Sequence, residues 1–208
     1  MDRVEERATA ASQARALLEQ AARSVQDPAQ HPDRPRPPAV VAAMKTIETQ
    51  VRHDRVDLGE RAIGGCWRLA VVSPKGSAAR DRGFYFPAFA PARITFLADP
   101  TTGAIARITN RVQVGPIFME FAGPARWAGR RNLLAFDFLE LSVGLGDRVL
   151  YRGPVRGDRP AAKALTQESF DRRAIGYLPF FAFCWASEWG IAARGRSGGL
   201  ALWVRDRD

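Results

Sequence analysis

Two hydrophobic periods divide the chain. Over residues 3–25, Ala8, Ala11, Ala14, Leu17, Leu18, Ala21, Ala22 and Val25 recur at the spacing of one helix face. Val40, Val41, Met44, Ile47 and Val51 do the same over residues 40–56, with larger side chains. The first stripe is mostly alanine and predicts a helix held loosely, or docked on a partner; the second predicts a helix packed firmly on the rest. Between them, five prolines within Asp27–Pro38 predict an extended linker. Past Gly64-Gly65 the period drops to two. Trp67, Leu69 and Val71 alternate with Arg68 and Ala70, and Ile108, Val112 and Val114 alternate with Arg107, Thr109, Arg111 and Gln113. Further short apolar runs over 84–89, 93–97, 117–121, 132–141, 148–152, 188–194 and 199–205 are separated by Gly and Pro. Gly115-Pro116 and Gly123-Pro124 predict breaks, Pro87 suits an edge strand, and Glu140 falls on an inner-face position that calls for a bulge. The pattern predicts a mainly β protein, an antiparallel barrel or sandwich preceded by one or two N-terminal helices. Its segments are a helix over 1–27, a Pro-rich linker over 28–38 and a β domain with a leading helix over 39–208.

Composition sharpens the picture. All 20 aromatic residues lie from Trp67 onward, so the folded β domain begins there. Residues 1–58 carry equal numbers of basic and acidic groups, and the whole net charge of +9 sits on residues 59–208. A basic surface favours an anionic partner: an acidic lipid headgroup, a nucleic acid or an acidic protein. Of the 31 basic residues 28 are Arg, which fits a GC-rich genome as well as it fits guanidinium contacts. The densest apolar run, Ala174–Trp189, is broken by Pro179 and is too short for a membrane-spanning helix. Cys66 and Cys184 are expected to be two buried thiols rather than a disulfide framework. Asp2, Glu5, Glu6 and Glu19 make the start unlike a signal or transit peptide, so the protein is expected either to stay where it is made or to begin after a removed leader.

Three stretches carry a family resemblance. Gly65-Cys66-Trp67-Arg68-Leu69 follows a helix and opens the first strand; Asn110-Arg111-Val112 lies on a later one; Ala193-Arg194-Gly195-Arg196 runs through Ser197-Gly198-Gly199 into Leu200–Arg205. Together, over roughly residues 40–208, they resemble the plastid lipid-associated proteins (fibrillins, plastoglobulins). A Tyr-Leu-Asp usual in that family before the penultimate strand is replaced here by Phe181–Glu188. The resemblance implies a lipocalin-like barrel whose first tryptophan plugs one end. It implies binding of an apolar lipid such as a prenylquinone, carotenoid or acyl chain. It also implies a chloroplast protein, peripheral on thylakoids or plastoglobules.

Read strand by strand, one face of the β domain collects Trp67, Leu69, Phe96, Met119, Phe121, Phe136, Phe138, Trp189 and Leu202, with Val71, Ile191, Leu200 and Val204 beside them. These residues predict a chargeless lumen that either fills itself or holds one apolar ligand. Catalysis has little to work with. His31 and His53 precede the β domain, Asp137 and Glu140 point to opposite faces, and Gly195–Gly199 leads into no helix. No resident cofactor or metal is expected. The arginines are scattered rather than striped among aromatics, which argues against nucleic acid. The aromatic run Tyr177–Trp185, containing Phe180, Phe181 and Phe183 and preceded by Arg172 and Arg173, has two readings: a buried irregular segment, or a tip facing a membrane or partner. The polar stretch 153–173 predicts a long loop, functional or mobile. A rival role is that of an assembly subunit clamped on a photosynthetic membrane complex, a photosystem or light-harvesting complex, by the first helix, this loop and the basic face.

Overall fold

The computed structural model describes residues 2–73, 82–155 and 167–206. Helix α1 (Asp2–Gln26) and helix α2 (Pro37–Asp54) precede β1 (Gly65–Val72), the two-residue β2 (Phe84–Tyr85), β3 (Ala92–Ala98), β4 (Ile105–Val114) and β5 (Ile117–Ala128). Then follow β6 (Leu133–Phe136), β7 (Glu140–Leu145), β8 (Arg148–Pro154), a short α3 (Gln167–Asp171), β9 (Phe180–Ala186), β10 (Gly190–Gly195) and β11 (Leu200–Arg205). Every strand pairing is antiparallel. The order β4-β3-β1-β11-β10-β9-β6-β5 closes on itself through β4–β5, giving an eight-stranded barrel. The expected mainly β barrel with N-terminal helices is the architecture found.

Strand β5 belongs to two structures. Its second half, Ala125–Ala128, pairs with β6 inside the barrel; its first half, Ile117–Ala122, pairs with β7, and β7 pairs with β8. The single long strand expected over 132–141 is therefore two strands with a break at residues 137–139. Between the rungs Phe136–Ala125 and Glu140–Ala122, three residues of one strand face two of the other, a bulge that turns Glu140 outward. Glu140 meets Arg107 there at 2.9 Å. The break expected at Gly123-Pro124 is absent, and β5 runs straight through it. Pro124 lacks an N–H, but its carbonyl accepts from the Asp137 amide (3.1 Å), and a side chain on Gly123 would overlap the Asp137 carbonyl.

The barrel has one closed end. The strap between α2 and β1 crosses it, fixed by buried Asn132, which receives the Leu58 amide (3.0 Å) and donates to the Val56 carbonyl (2.7 Å). Trp67 is fully buried beneath it, its indole N–H on the Ile63 carbonyl at 2.7 Å and the Arg205 guanidinium 3.7 Å above its ring. At the other end lie the β4–β5, β7–β8 and β10–β11 turns, where β4, β5, β7 and β8 flare away as a four-stranded sheet.

The helices cover β1, β9, β10 and β11. Val40, Val41, Met44, Ile47 and Val51 of α2 pack on Ala70, Val71, Cys184, Trp185, Leu200, Leu202 and Val204. Buried Glu48 grips Arg194 of β10 with both carboxylate oxygens (2.7 and 2.6 Å). Helix α1 is not loose. Ala11, Ala14, Leu18, Ala21 and Ala22 are buried against this layer, their small side chains letting the helix approach closely. Each alanine methyl contributes little, and polar ties supplement them: Gln26 donates to the Arg205 carbonyl (2.8 Å) and Arg34 to that of Ser24 (3.0 Å). The Pro-rich linker is likewise pinned, the Tyr85 hydroxyl donating to the Pro35 carbonyl at 2.8 Å. Pro37 and Pro38 belong to α2, where a missing amide hydrogen costs nothing.

Candidate functional site

Inside the barrel lie Trp67, Ile94, Phe96, Ile108, Leu134, Phe136, Phe183, Ile191, Ala193 and Trp203, with Leu69, Trp127, Phe138 and Phe181 partly buried among them. The rings form a connected line. Phe96 meets Phe183 (5.9 Å between centroids), Phe183 meets Phe181 (6.2 Å), and Phe181 stacks on Phe136 (4.9 Å). Phe136 meets Phe138 (5.2 Å), and Phe138 meets Phe121 (5.8 Å) on the flared sheet. Trp127 and Trp203 flank the line at 6.0 and 5.4 Å. Phe121 is half-buried, and from it the same face of the flare continues outward.

Strand alternation carries that face. Ile117, Met119 and Phe121 point one way on β5, opposite Val114, Val112 and Asn110 of β4 and Leu145, Val143 and Leu141 of β7. Val114, Ile117, Met119, Leu145 and Tyr151 are exposed. The reverse face is polar: Arg111 lies 3.8 Å over the buried Phe118 ring, and Glu120 and Ser142 stand next to it. Of the 11 large apolar residues that are exposed among the described residues, seven sit on β4, β5, β7 and β8 or their turns. An apolar surface therefore leads without interruption from the packed interior to solvent.

Several expected lumen residues are here and others are not. Trp67, Leu69, Phe96, Phe136 and Phe138 line the interior. Phe121 and Met119 lie on the same face but on the flare. Leu202, Leu200 and Val204 face the helices, and Ala201 and Trp203 face the lumen instead. Val71 also faces the helices, because a register shift between Leu69 and Val71 reverses the alternation in β1. Trp189 precedes β10 and packs on the helix side, with Arg23 4.6 Å over its ring. The wall under the helices is buried on both faces, so apolarity could not assign its sides.

The aromatic run divides too. Phe181 and Phe183 are lumen rings, and Phe183 is only 3% exposed. A second register shift, between Ala192 and Ala193, places both Cys184 and Trp185 toward α2. Phe181, Phe183 and Trp185 are therefore not available as a docking tip. Tyr177 is 81% exposed, Phe180 is half-buried, and Arg172 and Arg173 are exposed beside the barrel wall, where the Arg173 carbonyl accepts from Arg126. The long loop expected over 153–173 lies mostly outside the described residues, at 156–166; its remainder includes α3, whose Phe170 is buried under Arg126. The lip residues Leu145, Val149, Leu150 and Tyr151 were not singled out from the sequence, although three consecutive apolar residues before Arg152 were the available signal.

Electrostatics in the wall is structural. Burial pushes the Cys184 thiol up to about 12, reinforced by the Glu48 charge nearby. Both cysteines are free. Bonding to Glu48 raises Arg194 further above its ordinary value. Two surface hollows lie elsewhere, one of about 480 Å³ between α1 and α2 beside Ala11 and Gln50, the other of about 260 Å³ beside Arg68 and Arg93. Arg93 in the second is already paired with Asp206.

No protein-family model matches the chain, and no curated protein matches it significantly. Among solved structures, a lipocalin-like protein from Bacteroides uniformis is similar over 70% of this chain and 99% of its own, at 9% identity and a TM-score of 0.40.

Proposed function

We propose that this protein binds an apolar lipid without transforming it, and that it works peripherally on a plastid membrane or lipid-droplet surface. The observation that carries the reading is the line of rings from Phe96 to Phe121, opening onto the exposed apolar face of the flare. Rings 5–6 Å apart fill the closed half of the barrel, so a ligand fits best beside the mouth, against Phe121, Phe138 and Met119. The ligand class (prenylquinone, carotenoid or acyl chain) and the chloroplast setting rest on the sequence resemblance alone. Mass spectrometry of an organic extract of the protein purified from its source tests the proposal. A stoichiometric apolar lipid, with Phe121→Asp abolishing it, is the expected result. A clean extract from folded protein overturns it.

The same packed interior supports a second reading, an assembly subunit on a photosynthetic membrane complex with no transferable ligand. Co-migration with a detergent-solubilised supercomplex, together with a clean extract, would favour that reading.

A further inference from the structure

The flare has two tips, and they are held together. The β4–β5 turn, Val114-Gly115-Pro116-Ile117, and the β7–β8 turn, Leu145-Gly146-Asp147-Arg148, lie side by side, the Gly146 amide donating to the Pro116 carbonyl at 2.6 Å. Gly115 and Gly146 take positive φ (56° and 58°), and no other part of the described chain comes within 4 Å of where their side chains would be. Around them stand exposed Val114, Ile117, Leu145, Val149 and Leu150, the last 70% exposed. The helices pack on the opposite wall of the barrel, so among the described residues nothing covers these tips.

We infer that the paired tips are a membrane-docking surface that inserts into the interface of an anionic lipid layer, with the helices directed away from it. The inference rests on the lipid-associated reading above and names the surface that would do the work. Two features choose a lipid layer over a second copy of the chain. The first is charge: Arg148 and Arg152 on β8, Arg111 on β4 and exposed Arg196 in the β10–β11 turn outnumber Asp147 and Glu120. The tips' end of the barrel is where β9 begins and where β10 turns into β11. A short apolar tip flanked by guanidinium groups matches an acyl boundary beneath anionic headgroups. The second is the character of the free edge. Strand β8 ends the sheet, but a register shift at Val143/Gly144, Arg148 and Arg152 along its length, and Pro154 at its end, all oppose edge-to-edge pairing with another chain.

The test uses the full chain and co-sedimentation with two kinds of vesicle, phosphatidylcholine alone and phosphatidylcholine mixed with phosphatidylglycerol. Wild type is expected to bind the anionic vesicles and to lose them as salt rises. The double variant Ile117→Glu/Leu150→Glu is expected to bind them about tenfold more weakly or worse, with unchanged circular dichroism, because both side chains are exposed. Leu97→Glu, exposed at the closed end, should bind like wild type. Fluorescence of a Leu150→Trp variant should be quenched by brominated acyl chains. Wild-type binding by the double variant overturns the inference. So does a wild-type dimer that ignores vesicles and is dissolved by the same two substitutions, which would give the face to a second copy. Lipid in the organic extract without vesicle binding overturns the docking surface and leaves the ligand reading standing. Vesicle binding through the tips with a clean extract supports the docking surface and removes the ligand.

Discussion

Replacing Phe183 with alanine separates a ring that builds the barrel from one that serves its surface. Phe183 sits 3% exposed where the lumen rings converge, meeting Phe96 at 5.9 Å, Trp127 at 6.0 Å and Phe181 at 6.2 Å. Truncation removes the transfer free energy of a phenyl ring and leaves a cavity that three rigid neighbours cannot collapse into. The cost for such a site is about 3–5 kcal/mol, and the three edge or tilted ring pairs place it toward the top of that range. Against a total stability of about 5–15 kcal/mol, that is a large fraction. For a chain this long it should lower Tm by about 8–20 °C. Phe180, one position outside the lumen alternation and half-buried, is the internal comparison: Phe180→Ala should cost about 1–2 kcal/mol. Urea titration followed by tryptophan fluorescence measures both. If Phe183→Ala loses less than about 1 kcal/mol, or no more than Phe180→Ala, then the line of rings is not a packed core and the account of the lumen fails.

Two other outcomes follow from the helix-side wall. Glu48→Gln leaves the partly buried Arg194 guanidinium without its carboxylate and should cost about 1–2 kcal/mol, seen as a shift of the urea midpoint; exposed Arg107→Ala, which loses only a surface pair with Glu140, should cost less than about 0.5 kcal/mol. The Cys184 thiol is neutral in the fold and titrates near 12, above its ordinary value near 9, so the stability it contributes is fully present below about pH 9 and is lost as pH rises from 9 toward 12. Cys184→Ala should flatten that part of an alkaline unfolding curve, and an unchanged curve would put the loss elsewhere.

The sequence by itself determined the class of architecture. A period of 3.6 followed by a period of two requires helices first and strands after, because a wrong period cannot bury one face. Trp67 inside, the break near Glu140 and the hairpin between β10 and β11 were legible for the same local reason. The faces of the wall strands were not. Leu200, Leu202 and Val204 look like a lumen stripe, yet the helices lie against them, and a strand buried on both sides has no polar face to give its orientation away. Two register shifts, at Leu69/Val71 and Ala192/Ala193, reversed the alternation where nothing in the residues marks them. The run Phe180–Trp185 was sorted between lumen and helix side by the second of these. Only the tertiary structure decided that the alanine helix is held, because its binding comes from close approach and from the distant Trp189 and Arg205 carbonyls that accept from Gln26. It also decided that the lip is exposed. The residues Val149, Leu150 and Tyr151 are as apolar as any core strand, and what leaves them in solvent is β5 ending its partnership with β6 and taking up one with β7, which carries β7 and β8 out of the barrel.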